Sequence, residues 1–285
     1  MNLPPAVEAW CLDQGHGAVT ARRPVGGGCI NQGAQLETKT GATFFLKQNA
    51  SAAADMFACE AAGLEALRLP GGPRLPQTLL VGEHFLLLED MRPSPRQPSY
   101  WTDLGRQLAN LHGQTRPLFG FEHDNYLGST PQPNPETDDG YAFFADHRLR
   151  FQGQSAADRG LLDRPWLDRL DRLADRLPEL VPPQPASLLH GDLWSGNAIS
   201  GPSGEPVLID PAAHCGWAEA ELGMTALFGG FPEAFYQAYQ SSRPLAAGWR
   251  QRLPIYNLYH LLNHLNLFGT SYLGQVQSIL NRYGH

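Results

Sequence analysis

The stretch from Leu188 to Pro211, LLHGDLWSGNAISGPSGEPVLIDP, constrains this chain more than any other. It sets His190, Asp192 and Asn197 at the spacing H-x-D-L-x-x-x-N, and Asp210 opens the turn that follows. Gly, Asp and Asn form turns readily, so HGD or IDP alone would read as an ordinary turn. Apolar runs bound the two triplets, Ser187-Leu188-Leu189 before and Pro206-Val207-Leu208-Ile209 after. The spacing predicts short strands flanking a hairpin at Gly201-Pro202-Ser203-Gly204. A loop, a strand pair and a second Asp in this order make coincidence a poor explanation.

Phosphoryl transfer from ATP needs this arrangement. A carboxylate must orient and deprotonate the attacking hydroxyl, and oxygen-bearing side chains must hold magnesium against the phosphates. Asp192 suits the first role, and Asn197 and Asp210 the second, which is the pattern of a kinase catalytic loop. A lysine on the third strand of a β-rich region and a helix glutamate to hold it should then lie upstream.

From Ala18 to Asn49, short β-rich runs alternate with turn residues, as expected of an antiparallel meander. In its last run Thr43, Phe45 and Lys47 share one face, and Phe44 and Leu46 the other. The apolar spacing from Asp55 to Leu69 predicts a helix that carries Glu60 and ends at Pro70-Gly71-Gly72-Pro73. Lys47 and Glu60 are therefore the expected nucleotide-anchoring pair. Singly, each would read as a solvated charge. Gly26-Gly27-Gly28 falls where a loop covering phosphates belongs, since glycine lets backbone N–H groups approach an anion. A plain hairpin turn accounts for the run equally well.

Two further strands are expected at Leu79 to Val81 and Phe85 to Leu88. Glu89-Asp90-Met91 then marks a hinge where adenine would pair with backbone groups, and Pro93, Pro95 and Pro98 introduce helical composition. The expectation is an α+β chain of two lobes. An antiparallel sheet with one main helix occupies 1–90, and a mainly helical catalytic and substrate-binding part occupies 91–285. Ser99 is expected to cap a helix bearing Leu104, Leu108 and Leu111. The Pro117 to Gly140 segment lacks periodicity and reads as a functional loop. Helices are expected around Tyr141–Phe151, Leu161–Leu177, Glu219–Phe228, Pro232–Gln240, Gln251–Phe268 and Leu273–Tyr283. His260 and His264 share a helix face, but the leucines around them favour a packed interface over a metal pair.

Composition narrows the function classes. No apolar run reaches the roughly 18 residues of a spanning helix, and the first residues lack the pattern of a signal peptide, so no membrane role is expected. With 21 basic and 28 acidic residues the net charge is −7, which disfavours general nucleic-acid binding. Cys11, Cys29, Cys59 and Cys215 form no C-x-x-C pair and read as reduced thiols of a cytoplasmic protein.

HGDLWSGN with IDPA, preceded by GGGCIN, FLK and FGFEHDNYLGSTPQ and followed by FGGFPEAFY and LYHLLNHLNLFG, strongly resembles the fructosamine/ketosamine-3-kinase family over about residues 25–280. The resemblance implies a protein-kinase-like fold of the aminoglycoside-phosphotransferase type. It also implies ATP- and Mg²⁺-dependent phosphorylation of the sugar 3-hydroxyl of a ketosamine, free or protein-bound, as a deglycation activity. Carried over by position, Lys47 and Glu60 anchor ATP, Asp192 is the base, and Asn197 and Asp210 hold magnesium. Asp124, Asn125 and Trp194 are candidate substrate residues, although a core role for Trp194 fits equally. The chain departs from the family pattern at Glu136 and Asp138 to Tyr141, and again at His214 to Trp217, which bears on sugar preference. Another small hydroxyl acceptor, an amino sugar or amino alcohol, is the alternative, and a non-catalytic ATP-binding regulator a weaker one. Gly191 stands where regulated protein kinases carry arginine, which disfavours that class. Cys29, beside the glycine run, is a candidate redox switch in a monomer or a redox-sensitive homodimer. Its alternative is an inert strand residue.

Overall fold

The computed structural model describes residues 2–26 and 31–285. Helix α1 (Pro5–Asp13) precedes the sheet and was not expected from sequence. It is short, nine residues, but Pro5 at its first position fits a helix start. Strands β1 (Val19–Val25), β2 (Gln32–Thr38) and β3 (Thr43–Gln48) form the meander. Helix α2 (Met56–Ala66) follows, three residues shorter at its end than its apolar spacing suggested. Strands β4 (Thr78–Gly82) and β5 (Phe85–Glu89) complete an antiparallel sheet ordered β1-β2-β3-β5-β4. The alternation in β3 divides the sheet's faces as expected. Phe44 and Leu46 pack with Leu36 and Leu87 beneath Val7 and Cys11 of α1, whereas Phe45 and Lys47 face a cleft.

Helix α3 (Tyr100–His112) begins the mainly helical part. Ser99 stands at its N-cap, but its side chain makes no capping bond, which corrects the expected role. After β6 (Thr115–Arg116), the segment read as an unstructured loop holds the hairpin β7 (Asn125–Leu127) and β8 (Thr130–Gln132). Three-residue strands are too short to show a period. The helix expected at Tyr141–Phe151 is α4 (Gly140–Phe144), a π-helical turn at Ala145–Arg150 and α5 (Phe151–Asp158). Helices α6 (Arg164–Asp175) and α7 (Leu177–Leu180) replace the single one expected at Leu161–Leu177.

Strand β9 (Ala186–Leu189) leads into the His190–Asn197 stretch, and β10 (Ala198–Ser200) and β11 (Pro206–Leu208) pair across the expected glycine turn. The partner of β9 differs from the expectation: it pairs with β6 and with β12 (His214–Gly216), not with the run before Asp210. Helices α8 (Ala218–Leu227), α9 (Glu233–Ser242), α10 (Trp249–Phe268), a 3₁₀ turn (Thr270–Tyr272) and α11 (Leu273–Tyr283) close the chain near the expected positions. Among the described residues, no helix is long and apolar enough to cross a membrane.

A large core joins α2, α3 and the later helices. Helices α3 and α9 approach so closely that a Cβ on Gly105 would collide with the Phe235 carbonyl oxygen. Gly105→Ala should therefore cost about 1–3 kcal/mol of stability, because backbone rather than a side-chain tip must yield. Gly274→Ala, exposed in α11 with nothing near its added methyl, should instead stabilise by about 0.5–1 kcal/mol through helix propensity. Chemical denaturation of the two variants checks the opposite signs.

Candidate active site

The cleft encloses about 850 Å³ and is lined by Lys47, Glu60, Asp192, Asn197 and Asp210, among others. Strand β3 aims Lys47 into it, and the ammonium meets Glu60 Oε1 and Oε2 at 2.6 and 2.7 Å and Asp210 Oδ1 at 3.0 Å. Burial works against the charged lysine, but Asp210 and Glu60 outweigh it and raise its pKa, so Nζ stays protonated. Glu60 reaches Lys47 because α2 lies tight on the segment after Asp210. A Cβ on Gly63 would stand 3.3 Å from that of Ala213.

The loop that carries Asp192 is fixed by backbone chemistry. The His190 Nε2–H donates to the Ile209 carbonyl at 2.9 Å, and Nδ1 accepts from the Asp192 amide at 3.3 Å, so one neutral tautomer serves both bonds. Burial favours that neutral ring by lowering its pKa. Gly191 has φ +85°, and a Cβ there would strike the Ala212 carbonyl oxygen. An arginine could not occupy this position without moving the backbone. Asn197 Nδ2 donates to the Asp192 carbonyl at 2.8 Å and to Asp192 Oδ2 at 3.1 Å. Burial and the nearby Asp210 carboxylate push the Asp192 pKa well above the usual aspartate range, against the Asn197 hydrogen bond. Asp210 itself sits at φ +57°, a left-handed conformation that costs a non-glycine residue on the order of 1–3 kcal/mol.

Sequence reasoning missed Glu221. This buried carboxylate accepts the His190 and Gly191 amides at 3.1 and 2.6 Å and bonds His112 Nε2 at 2.8 Å. The other nitrogen of His112 meets the Tyr239 hydroxyl at 2.8 Å. Burial opposes the charge on Glu221, yet His112, His190 and the amide hydrogen bond hold its pKa below the ordinary value. The only trace in sequence is an acid flanked by Ala220 and Leu222 within an apolar helix.

The other expected site residues separate. Gly26, Glu89, Met91 and Trp194 line the cleft. Gly27, Gly28 and Cys29 lie outside the described residues. The Glu89 carboxylate is held by Arg74 Nη2 at 2.7 Å. Asn125 lines the cleft but is buried, donating to the Ala213 carbonyl at 2.7 Å and accepting from Gln132 and Asn134. Exposed Asp124 accepts the Asn134 amide at 2.7 Å and does not join the lining. Asn134 is in turn bound by Arg148 Nη2 at 2.7 Å, and Gln132 reaches the Ala212 carbonyl at 3.1 Å. This hairpin thus braces the two residues that follow Pro211. Cys11, Cys59 and Cys215 are buried free thiols, and burial raises those of Cys59 and Cys215 to about 11. His260 is buried, while His264 reaches the cleft.

A fructosamine kinase family model matches residues 7–284. The chain belongs to the fructosamine kinase family. A probable ketoamine kinase of Synechocystis is 43% identical over 93% of this chain and 90% of its own length. The chloroplastic protein-ribulosamine 3-kinase of Arabidopsis thaliana is 38% identical, covering 97% of this chain and 87% of its own. The crystal structure of a Thermobifida fusca protein assigned as a fructosamine-3-kinase superposes with a TM-score of 0.88 at 33% identity, covering 98% of each chain. An aminoglycoside phosphotransferase, 15% identical with a TM-score of 0.63 over 97% of this chain and 98% of its own, shares the fold. The protein-kinase-like architecture, a sheet-rich N-terminal region before a helical C-terminal part, is therefore that of the fructosamine kinases and their structural neighbours.

Glu221→Gln tests the buried anchor of the fructosamine kinase loop. The amide replaces one acceptor by a donor facing a backbone N–H, so the variant should lose roughly 1–3 kcal/mol near neutral pH. The depressed pKa gives wild-type Glu221 a stabilisation that is complete above the ordinary glutamate range and fades as pH falls through the folded-state value. The gap between wild-type and variant melting temperatures should narrow as the pH is lowered.

Proposed function

We propose that the protein is an ATP-dependent kinase that phosphorylates the 3-hydroxyl of ketosamines, freeing the amine once the phosphorylated sugar decomposes. One observation carries the reading: Lys47, Glu60 and Asp210 converge in the same cleft as Asp192 and Asn197. The relatives' names, ketoamine kinase and protein-ribulosamine 3-kinase, support the acceptor class. A structural neighbour crystallised with ADP supports the donor. A division near residue 90 into a nucleotide lobe and a catalytic lobe suits this chemistry, as does a cytoplasmic setting for the free thiols.

The residues fit magnesium. Asn197 spends its amide N–H on Asp192, and Lys47 takes only Oδ1 of Asp210, so Asn197 Oδ1 and Asp210 Oδ2 are unpartnered oxygens among the described residues. No cluster of three or more His, Cys, Asp or Glu poised for a metal occurs among those residues, which suits an ion that draws most ligands from phosphate and water. When bound, Mg²⁺-ATP would supply the transferable phosphoryl group and spread its developing charge. Lys47 would hold phosphate oxygens, and Glu60 would hold Lys47 in place. Asp192 would orient the acceptor hydroxyl and take its proton at Oδ1 or Oδ2, while Asn197 steadies that carboxylate. Trp194, half-buried in the wall, would give the sugar's C–H face an aromatic surface.

ATP consumption should be measured over ribulose-, erythrulose- and fructose-derived amines beside aminoglycosides and choline, with the phosphorylated position read by phosphorus NMR. Phosphorylation of a ketosamine at O3 is the expected result. Transfer only to an aminoglycoside or choline would assign another acceptor. Asp192→Asn should keep nucleotide binding and lower kcat by at least ~100-fold, since base assistance and positioning are worth that much. A near wild-type rate would remove Asp192 from the mechanism.

A further inference from the structure

The part of the cleft expected to take the nucleotide base is bordered by two distant stretches of the chain. Pro76, Leu88, Glu89 and Met91 contribute from the end of the sheet, and Ile199 from the β10–β11 hairpin. Arg74 itself does not line the cleft, yet it binds both stretches. Its Nη2 donates to Glu89 Oε1 at 2.7 Å, its Nη1 donates to Glu205 Oε1, and its carbonyl accepts the Leu208 amide at 2.9 Å. Both carboxylates are braced in turn. Glu89 Oε2 accepts the Gln77 amide at 3.2 Å, and Glu205 Oε2 accepts the Ser203 amide at 2.8 Å. Gly201 leaves the Glu205 carboxylate room to fold over the turn, since a Cβ there would collide with Oε1.

The chain beyond Met91 is fastened to the same hairpin by backbone bonds. The Ser94 and Gln97 amides donate to the Gly201 and Gly204 carbonyls at 3.2 and 3.0 Å. Before the hinge, the side chain of Arg74 does the corresponding work. Its three partners in charge keep between 24% and 39% of their side-chain surface exposed, Arg74 included, so the network adds little to stability. What it fixes is distance. A guanidinium is a rigid plane that grips two carboxylates at a set spacing, which an ammonium on a flexible stem cannot do. Spacing matters to a flat base, because a gap of about 0.5–1 Å already forfeits a quarter to a half of an apolar contact's dispersion energy.

Accepting the ATP-dependent reading above, we propose that Arg74 is a positioning residue of the nucleotide site. By clamping Glu89 to Glu205 it sets the gap between the hinge and the β10–β11 hairpin, and with that gap the affinity for the base. Arg74 touches no substrate and acts through its two carboxylate partners. The groups that would handle phosphate and acceptor are held by other contacts, Lys47 by Glu60 and Asp192 by Asn197, so loss of the clamp should spare the chemical step.

Adenosine, which carries no phosphate, reports the base slot alone, and calorimetry reads its binding without any acceptor. Arg74→Gln, which keeps most of the side chain but loses the charged fork, should weaken adenosine binding about tenfold, the worth of one hydrogen bond to a charged group. KM for ATP should rise by a similar factor, while kcat at saturating ATP, the acceptor KM and the melting temperature change little. Arg74→Lys should fall between wild type and Arg74→Gln. Glu205→Gln should lose as much as Arg74→Gln, and the double variant no more than either, because both break one clamp. Adenosine binding within about twofold of wild type in Arg74→Gln, or additive losses in the double variant, would overturn the clamp while leaving the kinase reading intact. If the wild type binds neither adenosine nor ATP, the ATP-dependent reading falls and the clamp with it.

Discussion

The ammonium of Lys47, enclosed between Glu60 and Asp210, is the interaction on which the rest of the site depends. Removing one cation and two carboxylates from water is costly, and only close, well-aligned contacts offset it. Those contacts require β3, α2 and the turn at Asp210 to meet at fixed separations. The sheet meets the requirement by turning alternate side chains of β3 inward, and α2 meets it through Gly63, where an added Cβ would already crowd Ala213 at 3.3 Å.

A second set of buried polar groups holds the opposite side. Glu221 grips the loop by two amides, and the chain Arg148–Asn134–Asn125–Gln132 reaches the carbonyls of Ala212 and Ala213. Arg148 is almost wholly buried without a carboxylate partner among the described residues, and burial lowers its pKa to about 10. It stays cationic because carbonyl and amide oxygens accept from Nη1 and Nη2 and its guanidinium lies 4.5 Å from the centre of the Phe143 ring. The residues around Asp192 and Asp210 are thus braced from behind, and the buried Glu221 carboxylate adds to the charge that raises the Asp192 pKa.

Much of this was legible in sequence because its signals are local. The H-x-D-L-x-x-x-N spacing, the alternation around Lys47 and the apolar stripe beside Glu60 each depend on a few neighbouring residues. Glu221 and Arg148 escaped because a helical acid or base is ordinarily solvated, and only tertiary packing buries these two. Asn125 shows a subtler failure. It belongs to a recognisable motif and lines the cleft, but its amide is consumed by backbone carbonyl and neighbouring side chains, a fact no spacing reveals. The pairing of β9 was misjudged for the same reason, since its partners are distant in the chain.

The triple contact at Lys47 also limits how such a chain can change over generations. Replacing Lys47 alone would leave two buried or half-buried carboxylates facing each other, while replacing Glu60 alone would leave Asp210 to hold the ammonium unaided. Each single step passes through a less stable intermediate, so the three positions are tied as one inherited unit. Neighbouring aromatic and loop positions carry no such tie. The rim of the cleft is therefore free to drift while the buried ionic centre stays fixed.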